Sequence, residues 1–152
     1  MHRSWIYKSH TIASIQECPE GAIGFIYKIT GPDGRIYIGR KILISTRKTK
    51  ISKKVKKETP TRKKFIWVES ESNWLDYWGS CQELLGDIEK KGKDLFRREI
   101  LEFCYCKAQM TYLEVKWMFH YNVLETNAYN GNILSKFFKT TPLCGVKSKI
   151  NG

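Results

Sequence analysis

Tyr27 and Tyr37 are the residues of this 152-residue chain whose type and spacing first suggest chemistry. They lie in two β-branched and aromatic stretches, residues 23–30 and 35–39, joined by Gly31-Pro32-Asp33-Gly34. Proline presets φ, aspartate favours the turn and glycine accepts a positive φ, so the segment reads as a β-hairpin. Pairing of the two strands sets the phenols opposite each other, or nearly so, on one wall. Two phenols so placed hold water or phosphate by hydrogen bonds, and activate water if cations or a metal lower the pKa of one of them. Tyrosine is also simply a favourable strand residue, and spacing alone does not choose between the two readings.

Charge narrows the partner. The net charge is +12, and it is concentrated. Arg40, Lys41, Arg47, Lys48, Lys50, Lys53, Lys54, Lys56, Lys57, Arg62, Lys63 and Lys64 stand against one acid, Glu58, before Trp67, leaving the rest of the chain nearly balanced. A block of this kind meets a polyanion, or else stays a solvated loop of like charges. Lys53-Lys54-Val55-Lys56-Lys57 has almost no apolar face, which argues against a membrane surface. No run approaches the apolar length of a membrane helix, and Met1 to Cys18 has no apolar run like an export signal. A soluble, cytoplasmic protein is the expectation. The five cysteines are then expected as free thiols. Cys104 and Cys106, with His10 or His120, lack the spacing and second pair of a strong zinc motif, so buried inert cysteines are expected.

The elements that must position these residues follow from pattern. Residues 1–21 read as an irregular lead-in. After the hairpin, residues 42–44 are expected to start a helix and residues 51–57 to be mobile. Trp74, Tyr77 and Trp78 sit on a short helical turn over residues 73–78, as core residues rather than base-stacking ones. Ser80-Cys81-Gln82-Glu83 has the pattern of a capping box, opening a helix through Leu84, Leu85 and Ile88 that Gly92 closes. Residues 96–103 read as a strand. Met110, Leu113, Trp117, Tyr121 and Leu124 share one face of a longer helix over residues 107–124. The order β-β-α-α-β-α predicts an α+β domain, a small antiparallel or mixed sheet flanked by helices.

Gly24-Phe25-Ile26-Tyr27 and Tyr37-Ile38-Gly39 resemble the two-part signature of the GIY-YIG nuclease superfamily, with Phe25 where the family often has glycine. The stretches Ser70 to Ser80, Gly92 to Leu101, Tyr112 to Lys116 and Tyr129 to Ile133 resemble a phage-borne, homing-type branch of that family. The resemblance covers residues 22–135, with a basic insertion at about 48–64 and a tail over 136–152.

The resemblance implies a division of labour. Tyr27 and Tyr37 line the site, one as general base or water-orienting group. Glu114 binds one Mg²⁺ or Mn²⁺, an ion that keeps several waters and takes further oxygens from phosphate, and that stabilises the leaving oxygen and the transition-state charge. The family places an arginine on the helix after the hairpin against the scissile phosphate. Arg47, eight residues after Gly39, is the choice, with Arg40, Arg62 and Lys64 as rivals. Lys41 stands in for a nearby basic residue of the family, and Asn130 braces the site, although Tyr129-Asn130-Gly131 is equally a turn. Arg40, Lys48, Lys50, Lys53, Lys54, Lys56, Lys57, Arg62, Lys63 and Lys64 are expected to grip the backbone of double-stranded DNA.

The resulting expectation is a divalent-metal-dependent DNA endonuclease in homing or phage DNA processing. A catalytically inactive nucleic-acid-binding protein on the same fold is the alternative, and an interaction protein that docks on an acidic partner is a third reading. No zinc-finger or helix-turn-helix pattern follows the domain, so specificity is expected to be relaxed, or to come from the insertion, a partner or a homodimer, the last also serving double-strand cleavage.

Overall fold

The computed structural model describes residues 4–58 and 62–139, the side chains of Val55 and Lys56 excepted. In chain order the elements are β1 (Trp5–Tyr7), β2 (His10–Ile12), β3 (Gly24–Thr30), β4 (Ile36–Ile42), β5 (Ile44–Lys50), α1 (Lys53–Glu58), β6 (Phe65–Glu71), α2 (Gln82–Lys91), β7 (Arg97–Cys104), α3 (Lys107–His120), β8 (Asn132–Ile133) and β9 (Phe137–Phe138). A single 3₁₀ turn, Trp74–Asp76, precedes α2. The described residues form a five-stranded sheet in the order β2-β1-β7-β3-β4, antiparallel except for the parallel pairing of β1 with β7. The fold is the mixed-sheet α+β architecture predicted from sequence.

Strand β3 lies between β7 and β4 and buries both faces, its alternate residues entering two cores. Phe25, Tyr27 and Ile29 join Trp5, Trp74, Trp78, Leu84 and Ile88 in one core, under α2. Ile26 joins Ile38, Met110, Leu113, Val123 and Ile133 in the other, under α3. Trp117, Tyr121 and Leu124 pack at the border of that second core, in line with the predicted stripe. Arg98 is 2% exposed, its guanidinium held between the rings of Trp5 and Trp78 and donating to the carbonyls of Leu75 and Tyr77. Burial lowers its pKa to about 10.

Five expectations change. The supposed lead-in supplies β1 and β2, and Trp5 is fully buried with its indole N–H donating to the Trp74 carbonyl. Three-residue strands carry too little periodicity to be read from sequence. Residues 42–44 start no helix: β4 continues to Ile42, the chain bends at the buried Leu43, and β5 leaves to pair with β6. Lys53–Glu58 is helical. The capping box does not form at Ser80: α2 begins after Cys81 without a side-chain cap, because Glu83 is drawn to Arg35 at 2.7 Å and the Ser80 hydroxyl bonds Tyr37. Helix α3 ends at His120, short of Leu124, and the backbone turns at Asn122, whose φ is 50°. Residues 140–152, most of the expected tail, lie outside the described set, as do 59–61 of the insertion.

Candidate active site

The site is built around the outer strand β4. The Gly31–Gly34 turn, with Gly34 at φ 82°, sets the hairpin register, which pairs Tyr27 with Gly39 and Ile29 with Tyr37. The phenols are therefore diagonal rather than opposite, on one face, with ring centroids 6.1 Å apart. Tyr27 is buried, its hydroxyl resting on Gly39, where a Cβ would overlap it. Gly79, at φ 92°, closes the far side, 3.3 Å from a Tyr37 ring carbon and 3.4 Å from the Tyr27 hydroxyl when a Cβ is built on it.

A third phenol joins them. Tyr77 hydrogen-bonds Tyr27 and meets its ring edge-on at 6.0 Å. The sequence reading placed Tyr77 in the core. Nothing in its local pattern separates a buried aromatic from one whose hydroxyl reaches a site across the fold. The Lys41 ammonium lies 4.1 Å above the Tyr77 ring and donates to Asn73 at 2.7 Å. Its partial burial pushes its own pKa down.

Arg40, the neighbour of Lys41 on β4, points to the opposite face, as successive strand residues must. There it donates to Thr111 at 2.8 Å and stands 4.0 Å from Glu114, both on α3. The Glu114 side chain is 19% exposed. Burial raises its pKa and the Arg40 guanidinium opposes the rise. Although α3 lies on the other face, the Glu114 charge still acts on both phenols.

The polypeptide does not lower the phenol pKa values, as sequence chemistry had allowed. Burial raises Tyr27 well above its ordinary value, with Tyr37 and Tyr77 adding to the rise. Burial raises Tyr37 too, and a hydrogen bond from Ser80 offsets part of it. Both phenols are neutral near pH 7 in the protein alone, and serve there as hydrogen-bonding groups.

Asn130 is 5% exposed and braces β4 from outside the sheet. Its Oδ1 accepts from the Ile38 N–H at 2.9 Å and its Nδ2 donates to the Ile38 carbonyl at 2.8 Å. These backbone groups sit between Tyr37 and Gly39 on a strand with no further neighbour in the sheet. Asn130 thus replaces a missing strand.

Chain residues 5–138 match the family model described as "Putative endonuclease segE, GIY-YIG domain". The protein belongs to the GIY-YIG family. No curated protein and no solved structure matches the chain. In this GIY-YIG domain the structure brings Tyr27, Tyr37, Arg40, Lys41, Glu114 and Asn130 to one strand. It does not bring Arg47 there. The segment directly after the hairpin is strand β5, not a helix; Arg47 is an exposed residue of β5, paired with Val68, and the arginine beside Glu114 is Arg40. Lys48, Lys50, Lys53, Lys54, Lys57, Arg62, Lys63 and Lys64 are exposed in the insertion. The Lys56 side chain lies outside the described set. Cys104 is buried, with its pKa pushed up to about 11, whereas Cys106 is exposed and accepts from the Gln109 N–H as the cap of α3. No group of three or more His, Cys, Asp or Glu side chains gathers as a metal cluster among the described residues. No described helix is long and apolar enough to cross a membrane.

Proposed function

We propose that this protein is a divalent-metal-dependent endonuclease that hydrolyses phosphodiester bonds of double-stranded DNA. The observation that carries the reading is Glu114: a largely buried carboxylate, left with one guanidinium at 4.0 Å, whose charge reaches Tyr27 and Tyr37 across the sheet. Such a carboxylate is short of positive charge. Its donor set, one carboxylate among oxygen groups, fits a hard ion such as Mg²⁺ or Mn²⁺, which needs few protein ligands when waters and phosphate oxygens complete its shell. Glu114 would hold that ion, which would supply neutralisation of charge on the reacting phosphate and the leaving oxygen.

The remaining work belongs to the chain. Tyr37, partly exposed and held by Ser80, orients the attacking water. Tyr27 is too deeply buried to meet bulk solvent and fixes Tyr37 and Tyr77 in place. Arg40, beside Glu114, and Lys41, beside Tyr77, each offer a cation to a phosphate that reaches their own face of β4. The biological setting that suits this chemistry is homing or phage DNA processing, with a second copy of the chain supplying the second cut of a double-strand break.

The test is incubation of wild type and Glu114→Ala with supercoiled plasmid, in Mg²⁺ and in chelator, followed on a gel. Conversion to nicked or linear DNA that needs both the ion and Glu114 is the expected result. Retardation of the plasmid without cleavage, in Mg²⁺ and in Mn²⁺, would make the protein a non-catalytic DNA binder and remove the role given to Tyr37.

A further inference from the structure

The basic insertion is not a loose loop of lysines. Strands β5 and β6 form a two-stranded antiparallel ribbon outside the main sheet, anchored at its base where the Ser72 N–H donates to the Leu43 carbonyl at 2.8 Å. At its far end the Ile51 N–H donates to the Lys64 carbonyl, and Ile51 is buried. On one face of the ribbon Lys48 lies opposite Trp67 and Lys50 opposite Phe65, with the Lys48 ammonium 4.4 Å over the Phe65 ring. On the other face Arg47 lies opposite Val68, and Thr49 opposite Ile66.

Every residue of β6 is exposed, and Trp67 is 70% exposed. An isolated two-stranded ribbon gains little stability on its own. Phe65 and Trp67, exposed side by side on one face of it, therefore mark a contact surface, with Ile66 and Val68 exposed on the other. Charge says what covers it. The ribbon and the chain at its tip carry Arg47, Lys48, Lys50, Lys53, Lys54, Lys57, Arg62 and Lys64, against Glu58, Glu69 and Glu71. Like charge opposes a second copy of the chain and suits a polyphosphate. A two-stranded β-ribbon also has the width that the major groove of B-DNA admits.

We infer that the β5–β6 ribbon is a DNA-docking arm that lies in the major groove, its cations on phosphates and its Trp67 strip against base edges and thymine methyls. The inference deepens the nuclease reading, because it gives a substrate-holding surface to a site that touches one phosphate. It supplies affinity and some base preference without a separate recognition domain.

The test is fluorescence anisotropy of a labelled DNA duplex in chelator, so that no turnover is needed. Trp67→Ser combined with Phe65→Ser is expected to raise Kd by about tenfold or more with little change in salt dependence. Lys48→Gln combined with Lys50→Gln removes no apolar ring and keeps the inference testable if the first variant misfolds. That pair is expected to raise Kd and to lower the slope of log Kd against log salt by about 2. Unchanged Kd in both folded variants overturns the arm. So does a Trp67/Phe65 variant that converts a dimer to a monomer in sedimentation while binding DNA normally, because the strip then belongs to a second copy. Ribbon-dependent binding by a wild type that cuts no plasmid would leave the arm standing and refute only the nuclease reading.

Discussion

The Tyr27 hydroxyl occupies the space that a Cβ on Gly39 would need. Glycine is thus required at that position by its neighbour across the hairpin, not by its own backbone. Gly39→Ala is expected to push the phenol away from Tyr77 and Tyr37, costing about 1–3 kcal/mol as overpacking does and lowering cleavage more than stability. Gly86→Ala, in the interior of α2 where an added Cβ meets nothing, is expected to stabilise by about 0.5–1 kcal/mol. Urea denaturation of both variants, with plasmid cleavage at a temperature where both are folded, checks the contrast. A fully active Gly39→Ala would show that the phenol contacts are dispensable.

Asn130→Ala leaves the Ile38 N–H and carbonyl without their partner on the outer strand. The expected loss is about 1–3 kcal/mol, read as a lower urea midpoint at unchanged slope. Asn130→Asp keeps an acceptor but loses the donor and buries a charge, so it is expected to be worse than alanine at pH 7 and to recover as pH falls. Equal midpoints for wild type and Asn130→Ala would deny the bracing role.

Arg40 and Arg47 separate by position. Removing Arg40 takes away the cation that holds the Glu114 pKa down, so the carboxylate protonates at higher pH. Arg40→Ala is expected to move the acid limb of the cleavage profile to higher pH and to reduce neutral-pH cleavage by about tenfold or more. Arg47→Ala is expected to leave that limb in place, weaken DNA binding and reduce its salt slope by about 1. Pre-steady-state cleavage at saturating DNA across pH decides. Abolished cleavage in Arg47→Ala, with Arg40→Ala active, would return the scissile phosphate to Arg47.

Glu114 also makes a stability prediction of definite sign. Its folded pKa is raised, so the folded state binds more protons than the unfolded one between the ordinary carboxylate pKa and the raised value. The benefit of a protonated Glu114 is full below the ordinary value and is lost as pH rises through the raised one. Glu114→Gln is therefore expected to be more stable than wild type at pH 7 and equal to it in acid, while cutting no DNA. A less stable Glu114→Gln at pH 7, by thermal unfolding without divalent ions, would mean that Arg40 satisfies the carboxylate fully.

What could be read from the sequence had a local cause. The hairpin followed from a Gly-Pro-Asp-Gly turn between β-branched runs, and α3 from apolar residues at helical spacing, since these signals lie within a few residues of one another. Tyr27, Tyr37, Glu114 and Asn130 were chosen for their places in stretches that resemble the GIY-YIG family, to which residues 5–138 belong. The choice of arginine was not. Spacing favoured Arg47, but strand alternation at Arg40 and the position of α3 across the sheet set the cation beside Glu114.

The amino-acid sequence by itself determined the α+β class, the hairpin, the long helix and the concentration of positive charge, because composition, turn chemistry and periodicity act over short chain distances. Tertiary structure decided the rest. It put Trp5 into the core across from Trp74, recruited Tyr77 as a third phenol, raised both site phenols by burial and turned the basic stretch into a ribbon with Trp67 in solvent. Each of these depends on contacts between residues far apart in the chain. Desolvation, pairing register and the face a side chain takes are fixed only when those distant elements meet.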